Sequence, residues 1–319
     1  MLVKLVKLVK LIKTSKFIMY STLINLRNLQ NFTQLTQLNY MRKFLFLILL
    51  CFFGSNETAL SQSPLLPMEQ LQKTKLYKSI DEALLEPNNV YRLNLSNTGI
   101  SQLPTEMSTL TKLQSLNISN NNITELPSEI NNLKNLQFLN LEGTNIVNLP
   151  DLSQFKNLIS LDLDNISTLN GANALNKIFN VKSLRELSMS SVFIMAVPTE
   201  IKKLKNLLKL NLSRCGLTEF SKGICMLKNL IYLDLSFNEI SSIPSDIGKM
   251  KKLEEFYIGG NRITSIPEEI EELDESLQVL GLATAESDSG EFVGNPITKD
   301  EMMKIEKLLP NTKVIFVWN

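Results

Sequence analysis

From Val90 onward the chain alternates apolar and polar residues in short bursts that return at an interval of about 23 residues. The stretch "LIYLDLSFNEISSIPSDIGKM", opening at Leu230, states the pattern: leucines at 230, 233 and 235, then Asn238, then Ile240, Ile243 and Ile247. Versions of it open at Val90, Leu113, Leu136, Leu158, Leu184, Leu207, Leu253 and Leu277, which makes about nine units. A fixed period in the low twenties means a solenoid, in which each unit buries its apolar face only against its neighbours.

Each part of the unit predicts an element. Leu233-Asp234-Leu235-Ser236 has the two-residue period of a short strand, and stacking such strands builds a parallel sheet. The return segment opens with an apolar-Pro step, at Leu103-Pro104, Leu126-Pro127, Leu149-Pro150, Val197-Pro198, Ile243-Pro244 and Ile266-Pro267. Proline fixes φ and keeps the preceding residue out of the helical region, so the return starts extended. The spacing from Ile247 to Met250 then allows one 3₁₀ or helical turn. An amide inside this apolar run has a physical purpose. The chain turns sharply after the strand in a dry place, and a side chain with both donor and acceptor satisfies the freed backbone groups. Asn121, Asn238 and Asn261 hold this position; Thr98, Thr144 and Cys215 replace it with smaller groups, and Val192 interrupts the ladder.

These residues resemble the leucine-rich repeat proteins, in the subtype with a Leu-Pro step, and bacterial secreted or envelope members in particular. The resemblance covers about 90–297. It implies an α/β solenoid: a horseshoe with a parallel β-sheet on its concave face, a mostly extended or 3₁₀ convex side, and caps at both ends. Two stretches depart from the pattern. Residues 158–183 lack the Leu-Pro step, and the extra length predicts a convex helix or a bend. Residues 283–293, "ATAESDSGEFV", read as a mobile acidic insertion.

The ends read as caps. In the 62–89 segment, Ser79 and Glu82 form a capping box, Leu84 and Leu85 give a short apolar face, and Pro87 stops the helix. In 298–319, Thr298 caps a helix, and "VIFVW" supplies a strand for the last sheet edge. Before the caps, "MRKFLFLILLCFFGSNETALSQ" has the basic start, apolar run and small residues of a signal peptide over 41–61, with a run too short to span a bilayer stably. Residues 1–40 begin "LVKLVKLVKLIK". They read either as a basic membrane-surface helix or as an over-extended start ahead of Met41; a signal peptide at the true start favours the second.

Composition narrows the chemistry. The 319 residues carry 33 Lys and Arg against 32 Asp and Glu, a near-neutral balance that argues against a nucleic-acid partner. Histidine is absent, which removes the commonest general base and metal ligand. The cysteines, Cys51, Cys215 and Cys225, have no zinc-ligand spacing and form no disulfide framework; Cys215 and Cys225 are expected as free thiols. No cofactor, metal or catalytic residue is expected.

The outward strand positions form the candidate binding face. One column runs Asn94, Asn117, Asn140, Asp162, Ser188, Asn211, Asp234, Tyr257, and such polar columns need no partner. Departures from them are the candidates. Tyr232, Phe237 and Tyr257, with Arg214 and Glu255 beside them, have the composition of a binding hot spot. Phe138, with Glu142, Asp162 and Asp164, makes a second, more acidic candidate. The convex charges, Lys202, Lys203 and Lys205 against Glu268, Glu269, Glu271 and Glu272, read as a solvated surface. The expected function is a non-catalytic, exported module that binds a protein, or a glycan, on its concave face. The alternative is an intracellular scaffold in signal transduction. An enzyme such as a ubiquitin-ligase effector is disfavoured, because no histidine stands by to activate Cys225.

Overall fold

A computed structural model describes residues 65–285 and 292–317. The basic segment, the signal-like segment with Cys51, the middle of the 283–293 insertion and Trp318 lie outside them. The described chain opens with helix α1 (Met68–Lys73), strand β1 (Leu76–Tyr77) and helix α2 (Ile80–Leu85). The repeats then lay down β2 (Arg92–Asn94), β3 (Ser115–Asn117), β4 (Phe138–Asn140), β5 (Ser160–Asp162), β6 (Glu186–Ser188), β7 (Lys209–Asn211), β8 (Tyr232–Asp234), β9 (Glu255–Tyr257) and β10 (Val279–Gly281). Helix α3 (Gly171–Ile178) lies between β5 and β6. After β10 come a hairpin of β11 (Ala283–Ala285) and β12 (Phe292–Gly294), helix α4 (Lys299–Leu308) and β13 (Lys313–Ile315).

One 11-stranded sheet takes β1 to β10 in chain order and ends on β13. Every pairing in it is parallel, and the register carries the repeat from strand to strand, as in Leu210↔Leu233↔Phe256. The middle residue of each strand points inward, so Leu93, Leu116, Leu139, Leu161, Leu187, Leu210, Leu233, Phe256 and Leu280 form one buried column. The return side is built as the prolines require. Pro104, Pro127, Pro198, Pro244 and Pro267 all sit extended, with ψ of 147° or 148°, and each opens a 3₁₀ turn. Strands hydrogen-bond about 4.8 Å apart, and the wider turns behind them make the sheet side concave.

The buried asparagines hold the two sides together. Asn238 Nδ2 donates to the carbonyls of Leu212 and Leu235, both at 2.9 Å, and its Oδ1 accepts from the N–H groups of Cys215 (2.9 Å) and Leu217 (3.0 Å). Each amide thus serves its own turn and the one before it. Asn121 does the same for Leu95, Ile118, Thr98 and Ile100, and Asn261 for Leu235, Ile258 and Ile240. Where the amide is missing, smaller groups cover less. Thr98 and Thr144 hydroxyls donate to Leu95 O and Leu141 O, and the Cys215 thiol donates to Met189 O. At Val192 the backbone turns on itself, Val192 N–H to Met189 O at 3.2 Å. A fourth ladder residue, Asn295, is one that the sequence pattern missed. Its Oδ1 accepts from Ile263 N–H and its Nδ2 donates to Ile258 O and Leu282 O. The long insertion had displaced it from the usual spacing.

Both caps form. Ser79 Oγ accepts from the Glu82 N–H at 3.4 Å and Thr298 Oγ1 from the Glu301 N–H at 3.3 Å. β13 seals the last edge against β10, as expected. Three readings are corrected. Leu85 does not face the core: it is 83 % exposed, and α2 packs through Ala83, Ile80 and Leu84. A six-residue helix has one narrow face, and Leu85 falls outside it. The insertion is not a simple loop: its two ends pair antiparallel as β11 and β12. The N-terminal cap is also more than a helix, since β1 pairs with β2 and covers the first edge. Arg92 ties this cap down by donating to Gln72 O and Thr74 O. In the irregular unit the convex helix is present: α3 is capped by Asn170 Oδ1, which accepts from Asn173 N–H, and it buries Ala174, Leu175 and Ile178.

Replacing Asn238 by alanine strands the N–H groups of Cys215 and Leu217 and the carbonyls of Leu212 and Leu235. At about 1–3 kcal/mol per buried unpaired group, partly relieved by water, the variant should lose about 2–4 kcal/mol. Urea unfolding measures the loss, and hydrogen exchange should show it first at the Cys215 and Leu217 amides.

Candidate functional site

The concave face consists of the first and last residues of each strand and the residue two further on. The last strand residue has an internal duty. The Oδ1 atoms of Asn94, Asn117, Asn140, Asp162, Asn211 and Asp234 each accept the backbone N–H two residues later, at 2.8 to 3.1 Å. Asn and Asp favour this local turn because their short side chains reach their own backbone. The polar column is therefore a second ladder, which the sequence pattern showed without revealing its purpose.

The structure divides the first candidate cluster into two. Tyr232 and Tyr257 meet on adjacent strands, with ring centroids 5.7 Å apart and planes inclined by 46°. Glu255 stands in register with Tyr232 and accepts from Tyr257 Oη at 2.9 Å. Tyr257 has room because the next strand offers Gly281; a Cβ there would come within 2.5 Å of the tyrosine ring. Arg214 and Phe237 form a separate pair in the turns beyond the strands, with the guanidinium 3.8 Å from the ring centroid. Both residues have left-handed backbones, φ +57° and +55°, where Asn97, Asn120 and Asn165 stand in other repeats. A bulky residue in this region costs roughly 1–2 kcal/mol, so stacking has to hold it. Phe237 lies half-buried over Gly260.

The second candidate is also rearranged. Asp162 is bonded to Asn140, whose Nδ2 donates to it at 3.3 Å, and Asp164 Oδ1 accepts from the Ser188 hydroxyl and the Ser190 N–H, both at 2.6 Å. Glu142 accepts from Asn165 Nδ2. Phe138 shares the face, half-buried and in register with Ser160. Burial pushes the Asp162 carboxyl up to about 6, and the charges of Asp164 and Glu142 push the same way. Burial also raises Asp164 and Asp234, against the pull of the N–H groups they accept. Tyr257 is held up to about 12 by burial and by Glu255.

Between the two candidates lies a cleft of about 220 Å³. Asp162 forms one wall and Tyr232 the other, with Ser188, Asn211, Glu186 and Lys209 around it. Lys209 and Glu186 face each other on adjacent strands with Nζ and Oε1 3.5 Å apart. Neither had been singled out. The signal was present, since both hold the same strand position as Phe138 and Tyr232, but each reads alone as an ordinary solvated charge. Away from this face, Cys215 and Cys225 are buried free thiols, and burial pushes both up to about 12. No group of three or more His, Cys, Asp or Glu placed to hold a metal occurs among the described residues.

The fold defines a class, the parallel-sheet repeat solenoid with one open sheet face. A family model described as a leucine-rich repeat region matches residues 89–147 and 140–292, and the chain belongs to that family. None of the curated proteins matches it. Among solved structures it resembles a TDR receptor, at 23% identity over 74% of this chain and 44% of that one, with a TM-score of 0.57. It also resembles the plant peptide hormone receptor RGFR1 in complex with RGF2, at 26% identity over 74% of this chain and 37% of that one, with a TM-score of 0.56. The functional domain of InlJ from Listeria monocytogenes is similar at 22% identity over 62% of this chain and 40% of that one, with a TM-score of 0.52. The chain thus spans less than half the length of each of these three.

Two outcomes follow from the buried groups. Asp162→Asn keeps the oxygen that accepts the Asp164 N–H but removes the charge. The native carboxyl keeps its proton up to about pH 6, whereas an ordinary one loses it near 3.8, so the wild type loses stability as pH rises through that window. The variant should therefore unfold at higher urea above pH 6, by about 0.5–1 kcal/mol after solvent screening, and the gap should close toward acid. Cys215 and Cys225 should resist a thiol reagent at neutral pH until the protein is unfolded, as peptide mapping of the labelled sites will show.

Proposed function

We propose that the chain is a binding module that presents its concave face to a protein partner and does no chemistry of its own. The observation that carries this reading is the stacked Tyr232–Tyr257 pair beside an open cleft on a rigid sheet. Paired aromatics with a charged neighbour are the usual anchors of protein interfaces. The likeness to a peptide hormone receptor seen in complex with RGF2 supports the same reading. Buried high-pKa thiols and the lack of histidine leave no activated nucleophile on this face.

The partner is met outside the cytoplasm in this proposal. Its support is the basic start, apolar run and small-residue site of residues 41–61. Peptide mass spectrometry on separated cell fractions tests it: a native N-terminus at Gln62 outside the cytoplasm supports export, and one at Met1 or Met41 in the cytosol overturns it. For the binding face, Tyr232→Ala combined with Tyr257→Ala should leave the circular dichroism spectrum unchanged. It should weaken capture of the native partner by about 2 kcal/mol or more, the loss typical of a hot spot. Unchanged affinity in the folded double variant would remove the site.

A further inference from the structure

Charge is not spread evenly over this chain. The whole sequence is balanced to +1, yet the concave sheet face carries Glu142, Asp162, Asp164, Glu186, Asp234 and Glu255. Against these six stand Arg92, at the N-terminal end and bonded to the cap, Lys209, which faces Glu186, and Lys313, on the last edge strand in register with Val279. Among the described residues, Asp162, Asp164 and Asp234 have no ion pair. Their hydrogen bonds come from neutral donors: backbone N–H groups, Asn140, Ser188 and, at Asp234, the Tyr232 hydroxyl. Neutral donors hold a carboxylate in place but leave its charge uncompensated. Burial makes that charge costly, as the raised carboxyl groups show.

We infer that the partner segment received by this face is cationic, and that one of its Lys or Arg side chains enters the cleft between Asp162 and Tyr232. The inference rests on the concave-face reading above and names the chemistry of the partner. The cleft has room for one long side chain. Asp162 supplies a charge-assisted acceptor on one wall. The opposite wall is the Tyr232 ring, backed by Tyr257, and an aromatic face attracts a cation. Ser188 and Asn211, also on the lining, offer further oxygen acceptors. An arginine suits the site best, because its planar head stacks on the ring while its edge donates to the carboxylate. Glu142 and Asp164 on one side, and Asp234 and Glu255 on the other, extend the negative field along the face for flanking basic residues. An acidic segment would meet this field with the strand cations confined to the two ends of the sheet, Arg92 and Lys313, and to Lys209, already beside Glu186.

The test uses the full chain and synthetic peptides. A fluorescent peptide of alternating arginine and glycine is titrated beside its glutamate counterpart, at low and at physiological salt. The arginine peptide should bind more tightly by about tenfold or more, and less so at high salt. Asp162→Asn with Asp164→Asn keeps the oxygen acceptors and should weaken it by about tenfold. Glu268→Gln with Glu272→Gln removes the same charge from the return side and should change nothing. Equal loss in both pairs would mean general electrostatic attraction and would overturn the site. Equal binding of the two peptides would also overturn it. If the tyrosine double variant still loses the native partner in that case, the concave-face reading survives without the cationic partner. If spermine binds as tightly as the peptide and with the same variant dependence, the occupant is a free polyamine and the protein-segment assignment fails.

Discussion

The fold depends on a single constraint, the backbone turn that follows each strand inside a dry stack. A turn there frees N–H and C=O groups where water cannot reach them, and leaving several unpaired costs more than most side-chain contacts return. The carboxamide answers this because it donates and accepts from one rigid plane. Asn238 reaches the carbonyls of Leu212 and Leu235 and two N–H groups, and all but the Leu235 carbonyl belong to the preceding repeat. The ladder is therefore a bond between repeats as well as a turn. Around it the leucine columns close, and the prolines set the return path.

The same logic shapes the concave face. The residues at the strand ends look free for binding, yet most spend an oxygen on the backbone two residues later. This gives the face rigidity before any partner arrives, and preorganised surfaces lose less entropy on binding. Asp is as good as Asn for that internal bond, so the column can exchange amide for carboxylate without disturbing the sheet. At Asp162 and Asp234 it has done so, and the cost is a buried charge. The carboxylate adds that cost without making an internal bond that Asn would not make. Arg214 and Phe237 show it in another form, as bulky residues in left-handed turns held by their own stacking.

The period, the leucine column, the Leu-Pro returns, three of the ladder asparagines and both helix caps were legible in the residues. Each is decided within one repeat or between identical positions of neighbouring repeats, so the pattern and its physical reason appear together. Asn295 escaped because the hairpin insertion displaced its spacing, and Leu85 was misplaced because a short helix exposes one of two adjacent leucines. Strand β1 carries too few residues to show a period.

What only the tertiary structure decided is how side chains from different repeats meet. The five-residue aromatic cluster read from the sequence is two clusters, because Tyr232 and Tyr257 stand on strands while Arg214 and Phe237 stand in turns. The cleft between Asp162 and Tyr232 spans four strands and includes Glu186 and Lys209, which read alone as solvated charges. Sequence periodicity determined which column each residue occupies, since that depends on local alternation. Which neighbours share a cleft, and whether a carboxylate finds a cation, depends on register and rotamers across the sheet, and those exist only once the repeats are stacked.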